Sequence, residues 1–291
     1  TGQSAPGECG AAETMQTEDA VIFIGESFRY VFSKRLGTFT SLAVAGEEQL
    51  SAPVRLTAWR APTDNDRNIK ARWGSENSWQ GENLDKCFHK LYTLQVQPGG
   101  IRLSGSLAGV SRMPFFRFEQ SLFVDAAGAI RVQLRGRVAE HTAFLPRLGY
   151  EFTLTKENAP FRYYGCGPLE SYCDMRHGST VGMYRSTPAR EYVPYIRPQE
   201  HGNHTDTHLL EIGAFRFESL QGFECNVSAY STEALTHAAH TDALIPDGRT
   251  HVRIDYKVSG IGSNSCGPEL SGQYRLEEKA IAFGFCIMEN R

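Results

Sequence analysis

From Ala20 onward the chain consists of short runs of β-branched and aromatic residues, alternating with polar positions and cut by Gly, Asp, Asn and Pro. Alternation with a period of two, punctuated in this way, is the pattern of strands joined by turns. It predicts strands at Ala20–Ile24, Arg29–Phe32, Phe39–Val44, Leu91–Val96, Ile101–Leu107, Phe115–Val124, Ile130–Val138, Leu148–Leu154, Leu209–Ile212, Phe215–Ser219, Asn226–Tyr230, His251–Val258 and Ala280–Ile287. Lys34 to Gly37, Pro98 to Gly100 and Asp125 to Gly128 read as hairpin corners. Helical periodicity is confined to two places: Ser231 is a good N-cap for a helix running to about His240, and Arg72 to Lys90 has room for a turn or two inside a long loop. The absence of βαβ alternation excludes a barrel of parallel strands and helices. No internal repeat and no linker interrupts the chain after residue 19. The prediction is an all-β fold, a large antiparallel sandwich in one domain over residues 20–291.

Charge narrows the partners. The 30 Lys and Arg residues face 33 Asp and Glu, a formal charge of -3, so no basic field exists to gather nucleic acid or an anionic membrane surface. The longest apolar stretch, Ala280 to Met288, is about half of a bilayer span and contains Gly284. The seven cysteines, Cys9, Cys87, Cys166, Cys173, Cys225, Cys266 and Cys286, are odd in number and form no CxxC pair. That fits free thiols in a reducing compartment, and a cytoplasmic location is expected. Residues 1–19 are small, polar and acidic and read as a disordered linker. They open on Thr1, which leads us to expect a piece of a longer polypeptide.

Four polar clusters are candidates for chemistry. RAPTDND, Arg60 to Asp66, gathers Asp64, Asn65 and Asp66 beside Arg60. These oxygens suit a hard cation or a glycoside hydrolase cleft, but Asp and Asn after Pro favour turns closed by side-chain bonds to backbone N–H groups, and the structural role is the stronger expectation. YIRPQEHGNHTDTH, Tyr195 to His208, carries Glu200, Asn203 and Asp206 with His201, His204 and His208. Gly202 and the missing apolar face argue against the helix that would aim His204 and His208 at one zinc ion, leaving donors and acceptors on an exposed loop suited to hydroxyl recognition. YYGCGPLESYCDMRH, Tyr163 to His177, places Cys166 between two glycines, Pro168 at a position suited to the start of a short helix, and Glu170, Asp174 and Arg176 as its polar members; an inert thiol is expected. GIGSNSCGPE, Gly260 to Glu269, is rich in Gly and Ser without a phosphate-loop pattern. Trp59, Trp73 and Trp79 lie near the first loop, where an indole can stack on a sugar, although packing is the ordinary use of Trp.

In order along the chain, RAPTDND, YYGCGPLESYCDMRHGSTVGMY (Tyr163 to Tyr184), YVPYIRPQEHGNHTDTHLLEI (Tyr192 to Ile212), CNVSAYSTEAL (Cys225 to Leu235) and GIGSNSCGPEL (Gly260 to Leu270) resemble the C-terminal domain of the β-galactosidases of glycoside hydrolase family 2. The resemblance runs from about Ala20 to Met288. It implies a β-supersandwich related to galactose mutarotase, and places the two catalytic glutamates and the magnesium ligands of such an enzyme in a separate (β/α)8 barrel. On that reading this chain holds no catalytic residue, metal ligand or cofactor, and Mg2+ and a monovalent cation belong to other domains. Its partners are then the barrel and the other domains, a galactoside substrate, and further copies of a homo-oligomeric parent. The resemblance maps a loop at the rim of the sugar pocket onto Gly262 to Pro268. Some relatives carry a stacking Trp at the place of Cys266, leaving Asn264, Ser265 and Cys266 here as polar contacts; Glu200, Asn203 and His204 are further rim candidates, with Arg60, Asp64, Asn65 and Asp66 as a structural loop. The isolated chain is expected to be inactive. The alternatives are a stand-alone aldose 1-epimerase on the same fold and a non-catalytic carbohydrate-binding module.

Overall fold

The computed structural model describes residues 10–66, 69–74, 81–262 and 269–290. The strands are β1 (Glu13–Gln16), β2 (Ala20–Ile24), β3 (Phe28–Ser33), β4 (Thr38–Val44), β5 (Glu47–Glu48), β6 (Arg55–Thr57), β7 (Cys87–Gln97), β8 (Gly100–Gly109) and β9 (Phe116–Val124). They continue as β10 (Ile130–Val138), β11 (Arg147–Leu154), β12 (Phe161–Gly167), β13 (Thr180–Ser186), β14 (Asn203–Ile212), β15 (Phe215–Ser228), β16 (Thr250–Val258) and β17 (Ala280–Glu289). Two short helices, α1 (Lys70–Trp73) and α2 (Thr232–His237), join them. The fold is all-β and every strand pair is antiparallel.

Strands β1 to β5 form a five-stranded meander, and the others a twelve-stranded sheet with the path β13-β12-β14-β15-β17-β10-β9-β8-β7, from which β16, β11 and β6 branch beside β15. The alternation read from the sequence is the reason the two layers stack. Phe28, Tyr30 and Phe32 on β3 all face inward, as do Ile130, Val132 and Leu134 on β10, and they belong to one continuous hydrophobic core. The predicted corners sit where turn chemistry demands them. Asp125 Oδ1 accepts the N–H groups of Ala127 and Ala129, both at 2.9 Å, and Gly128 takes the left-handed backbone that closes the β9–β10 hairpin.

Several boundaries differ from the sequence expectation. Glu13–Gln16 are not linker but β1, because their backbone pairs with β2 and Ala12 N–H donates to the Val124 carbonyl at 3.0 Å. Residues 87–90 belong to β7 instead of a loop, and the runs predicted at Phe215–Ser219 and Asn226–Tyr230 join through Leu220 to Cys225 into one strand, β15, which ends at Ser228. Helix α2 is capped as expected, with Ser231 Oγ accepting Ala234 N–H at 3.0 Å, but ends at His237. Strands β12 and β13 were not expected. Gly165 and Gly167 interrupt the strand signal, and the chain leaves β12 in a bend at Pro168 where a helix start was anticipated.

Candidate functional site

The chain leaves β6 into a fully buried stretch, Ala58 to Ala61, and then closes a tight turn at Asp64–Asp66. Arg60, with no exposed surface, determines what surrounds it. Its Nε and Nη2 donate to the two oxygens of Asp66 at 3.1 and 2.7 Å, Nη1 donates to the Ser259 carbonyl, and Nη2 also donates to the Gly260 carbonyl at 3.0 Å. Burial alone disfavours the guanidinium charge, and the Asp66 carboxylate outweighs it, so Arg60 is held above its ordinary pKa. Asp66 Oδ2 also accepts Thr63 N–H at 2.9 Å. The guanidinium lies 5.6 Å from the ring centroid of Trp73, whose Nε1 donates to the Phe144 carbonyl at 2.7 Å.

Residues 259–262 are therefore gripped on one side by Arg60 and by Asn65, whose Nδ2 donates to the Ile261 carbonyl. On the other side Asp174 accepts the N–H groups of Ile261 at 3.0 Å and Gly262 at 2.7 Å. Gly260 is required by this approach: a Cβ there would lie 2.5 Å from the Asp174 carboxyl carbon. A third hold is Gly260 N–H to the Tyr274 carbonyl at 2.8 Å. The sequence-predicted contacts Asn264, Ser265 and Cys266, which follow this root, lie outside the described residues, as does Trp79. The described cleft beside the root, lined by Asn65, Asp66, Phe144 and Ile261, has a volume of about 10 Å³, room for about one water.

Glu200, Asn203 and His204 correct the expectation of an exposed loop, being 3%, 0% and 0% exposed. Asn203 opens β14, and its Nδ2 donates to the Ser171 carbonyl at 3.0 Å and to Glu224 at 2.6 Å. His204 uses both ring nitrogens, Nδ1 with the Cys166 carbonyl at 3.0 Å and Nε2 with Glu191 at 2.9 Å, and stacks on Tyr163 with centroids 4.2 Å apart. Glu200 Oε1 accepts from Asn226 at 3.3 Å. The neighbouring histidines diverge: His201 Nδ1 meets the Gln199 carbonyl at 2.8 Å and His208 Nδ1 the Ser219 carbonyl at 3.0 Å. Glu200, Asn203 and His204 tie the turn before β14 to β12, β15 and the segment after Pro168, and their side chains are buried, whereas His208 is exposed. Cys166 is buried, its thiol 3.5 Å from Asp206 Oδ2, and Trp59 and Trp73 are packed inside, Trp59 Nε1 donating to Thr236 at 3.1 Å.

The sequence reading missed a layer of buried charge beneath this region. On β16, Arg253 donates to Asn226 at 2.7 Å and to Thr232 at 2.8 and 3.1 Å, and lies 3.3 Å from Glu151 of β11. Burial pushes the Glu151 carboxyl up, but Arg253, Arg55 and Arg147 together pull it down to about 2. Arg147 grips Asp255 at 2.7 and 3.0 Å; burial works against its charge and Asp255 more than restores it. Glu224 of β15 sits opposite Asp255 of β16 and forms no salt bridge among the described residues. Burial pushes its carboxyl up to about 8, even against the Asn203 bond and the 3.2 Å bond from Val258 N–H, so it is protonated at neutral pH. Asp66, Glu151 and Asp255 are each committed to an arginine, and Glu224 is sealed and neutral. Arranged in this way, Asp66 braces Arg60 against the carbonyls of Ser259 and Gly260, and Glu224 holds the Val258 N–H at the end of β16. The available signal was cross-strand complementarity, since Glu151 stands opposite Arg253, but the pairing of β11 with β16 joins segments about a hundred residues apart.

Compared with known proteins, residues 24–287 match the family model described as beta galactosidase small chain. The chain is 33% identical over 265 residues to the beta-galactosidase of Actinobacillus pleuropneumoniae and 33% identical over 279 residues to that of Staphylococcus xylosus, alignments that take in 90% and 93% of this chain. It spans about a quarter of the length of these relatives, 26% and 28%. Among solved structures, the GalM/aldose epimerase homologue of C. elegans is similar over 97% of this chain and 99% of that one, at a TM-score of 0.47 and 7% identity.

Proposed function

The chain belongs to the beta-galactosidase small-chain family, and from that premise we propose that it acts as the small-chain part of a β-galactosidase, shaping the edge of a sugar pocket whose catalytic carboxylates come from the rest of the enzyme. The observation that carries this reading is the family match across nearly the whole chain, which occupies about a quarter of each relative. Three of its buried carboxylates, Asp66, Glu151 and Asp255, are bound to arginines, which supports a division of labour: chemistry elsewhere, architecture here. The whole enzyme would then cleave terminal β-galactosides with retention, through two carboxyl groups about 5 Å apart. Within this chain the segment after Gly262, with Asn264, Ser265 and Cys266, is proposed as the part that meets the sugar, its root held by Arg60, Asn65 and Asp174. Arg60, Asp64, Asn65 and Asp66 would serve that segment as scaffold. We extend the proposal to a homo-oligomeric parent in the cytoplasm, a setting that suits the free thiols of Cys87, Cys166, Cys173, Cys225 and Cys286. No helix among the described residues is long and apolar enough to cross a membrane.

The test is complementation. The chain alone should not turn over a chromogenic β-galactoside, whereas mixing it with a β-galactosidase that lacks its small-chain region should restore turnover in a saturable manner. Activity that follows the isolated chain through purification would overturn the division of labour, and failure to form a complex with any such truncated enzyme would overturn the assignment.

A further inference from the structure

Away from the loop root, the outer face near the end of the twelve-stranded sheet carries one row of charges across four strands. Arg185 of β13 stands opposite Arg162 of β12, Arg162 opposite Glu211 of β14, and Glu211 opposite Arg216 of β15. Directly opposed residues in an antiparallel pair bring their Cβ atoms within about 5.5 Å, and like charges so placed repel. Glu211, 5% exposed, is already consumed: Arg162 grips it with two N–H groups, and Arg216 Nη1 lies 3.5 Å away. Arg185 is left facing Arg162. It and Arg190, both exposed, have no side-chain hydrogen bond or ion pair among the described residues. Arg162, Arg185 and Arg190 line one open groove of about 510 Å³, together with Ser186, Thr187 and Glu211, above a floor that includes the buried ring of Phe161.

An excess of cationic forks around hydroxyl-bearing residues, in a protein whose net charge is negative, is the recognition chemistry of a compact dianion. A monoanionic carboxylate would neutralise only one of the two unpartnered guanidinium groups, whereas a phosphate offers three oxygens and nearly two charges. We propose that the groove between Arg162, Arg185 and Arg190 is a binding site for a phosphate group, either free phosphate or the phosphomonoester of a small polar molecule. Bound there, the phosphate would bridge Arg185 and Arg190 and relieve the Arg162–Arg185 repulsion, while Glu211 keeps Arg162 in place and sets the inner limit of the site. The proposal does not depend on the function proposed above, since none of these residues holds the loop root.

Calorimetric titration of the full chain with potassium phosphate, against potassium chloride at matched ionic strength, tests it. A saturable heat with phosphate and none with chloride is expected, accompanied by a rise in melting temperature. The pair Arg185→Gln with Arg190→Gln should weaken phosphate binding at least tenfold, whereas Arg35→Gln with Arg102→Gln, exposed arginines elsewhere that change the net charge equally, should leave it unaltered. Galactose 6-phosphate, titrated beside phosphate and unmodified galactose, distinguishes the sources: tighter binding than phosphate identifies a phosphomonoester site, equal binding a site for free phosphate. The absence of saturable phosphate binding, or equal weakening in both pairs of variants, would overturn the proposal.

Discussion

The five-stranded meander and the region around β11, β14, β15 and β16 are both well buried, and they are held together by opposite means. In the meander, Phe23, Phe28, Tyr30, Phe32 and Phe39 make a connected set of rings, with Phe32 and Phe39 edge to face at 5.5 Å, and polar groups point outward. In the second region, β16 is buried on both faces through Asp255, and one face carries His251, Arg253 and Asp255 against Glu151, Arg147 and Asn226. Apolar burial is non-directional and tolerates adjustment. A buried ionic layer has defined partners and a large penalty when one is removed, which makes it suited to holding a loop root in one position.

The sharpest way to break this comparison is to remove one residue from the meander and one from the buried charges that hold the loop root. Arg60→Ala should cost about 3–5 kcal/mol, because Asp66 and two carbonyls are left buried without their donor. Loss of the guanidinium against Trp73 should also shift the tryptophan fluorescence. Phe32→Ala should cost a similar amount, about 3–5 kcal/mol, through transfer and cavity terms, yet leave that fluorescence and any complementation of activity intact. Chemical denaturation measures both, and loss of complementation by Phe32→Ala at temperatures where it remains folded would erase the distinction.

The next effect concerns pH. Glu224 has its folded pKa raised to about 8 from an ordinary value of 4.5, so the folded protein binds one proton more than the unfolded chain between those values. Its contribution to stability is full below pH 4.5 and is lost as pH rises toward 8, with a slope of about 1.4 kcal/mol per pH unit within the window. Glu151 has the opposite sign: its folded value of about 2 lies below 4.5, so its contribution is full above pH 4.5 and disappears as pH falls toward 2. Glu224→Gln should therefore flatten the decline between pH 5 and 8 and leave the acid limb unchanged, measured by urea midpoints across the range. A decline of the same slope in the variant would assign it to other groups.

A smaller effect is expected at Asp174→Asn, which keeps the shape but leaves one acceptor oxygen for the Ile261 and Gly262 N–H groups and turns an NH2 donor toward the other, at about 1–3 kcal/mol. Its signature is local, faster amide exchange at Ile261 and Gly262 with the meander amides unaltered. The smallest is Ser231→Ala at the start of α2, about 1 kcal/mol, through loss of the cap on Ala234 N–H.

How much was legible follows from the same contrast. The meander strands were readable for two reasons: β3 alternates buried and exposed residues, and β2 is a short unbroken apolar run, Ala20–Ile24, bounded by polar residues. Strands β12 and β13 were hidden by their glycines, and β14 was read too short because Asn203 to Thr207 looks like a polar loop while being buried almost throughout. For the same reason Glu200, Asn203 and His204 were placed on an exposed loop: a polar side chain whose partners lie on other strands is indistinguishable, in one dimension, from a solvated one. Asp174 was visible as a carboxylate without a role, and its two N–H partners lie close to ninety residues away.

Hydrophobic periodicity and turn residues were enough to establish the all-β class, most strand positions and the hairpin corners, because these depend on neighbours within a few residues. Ordered motifs were enough to bring out the family resemblance. Which carboxylate meets which arginine, that Glu224 is sealed in its neutral form, and that Arg60, Asn65 and Asp174 converge on residues 259–262 were decided by long-range pairing and burial. Those raise or lower the energy of a charge by several kcal/mol and leave no periodic trace along the chain.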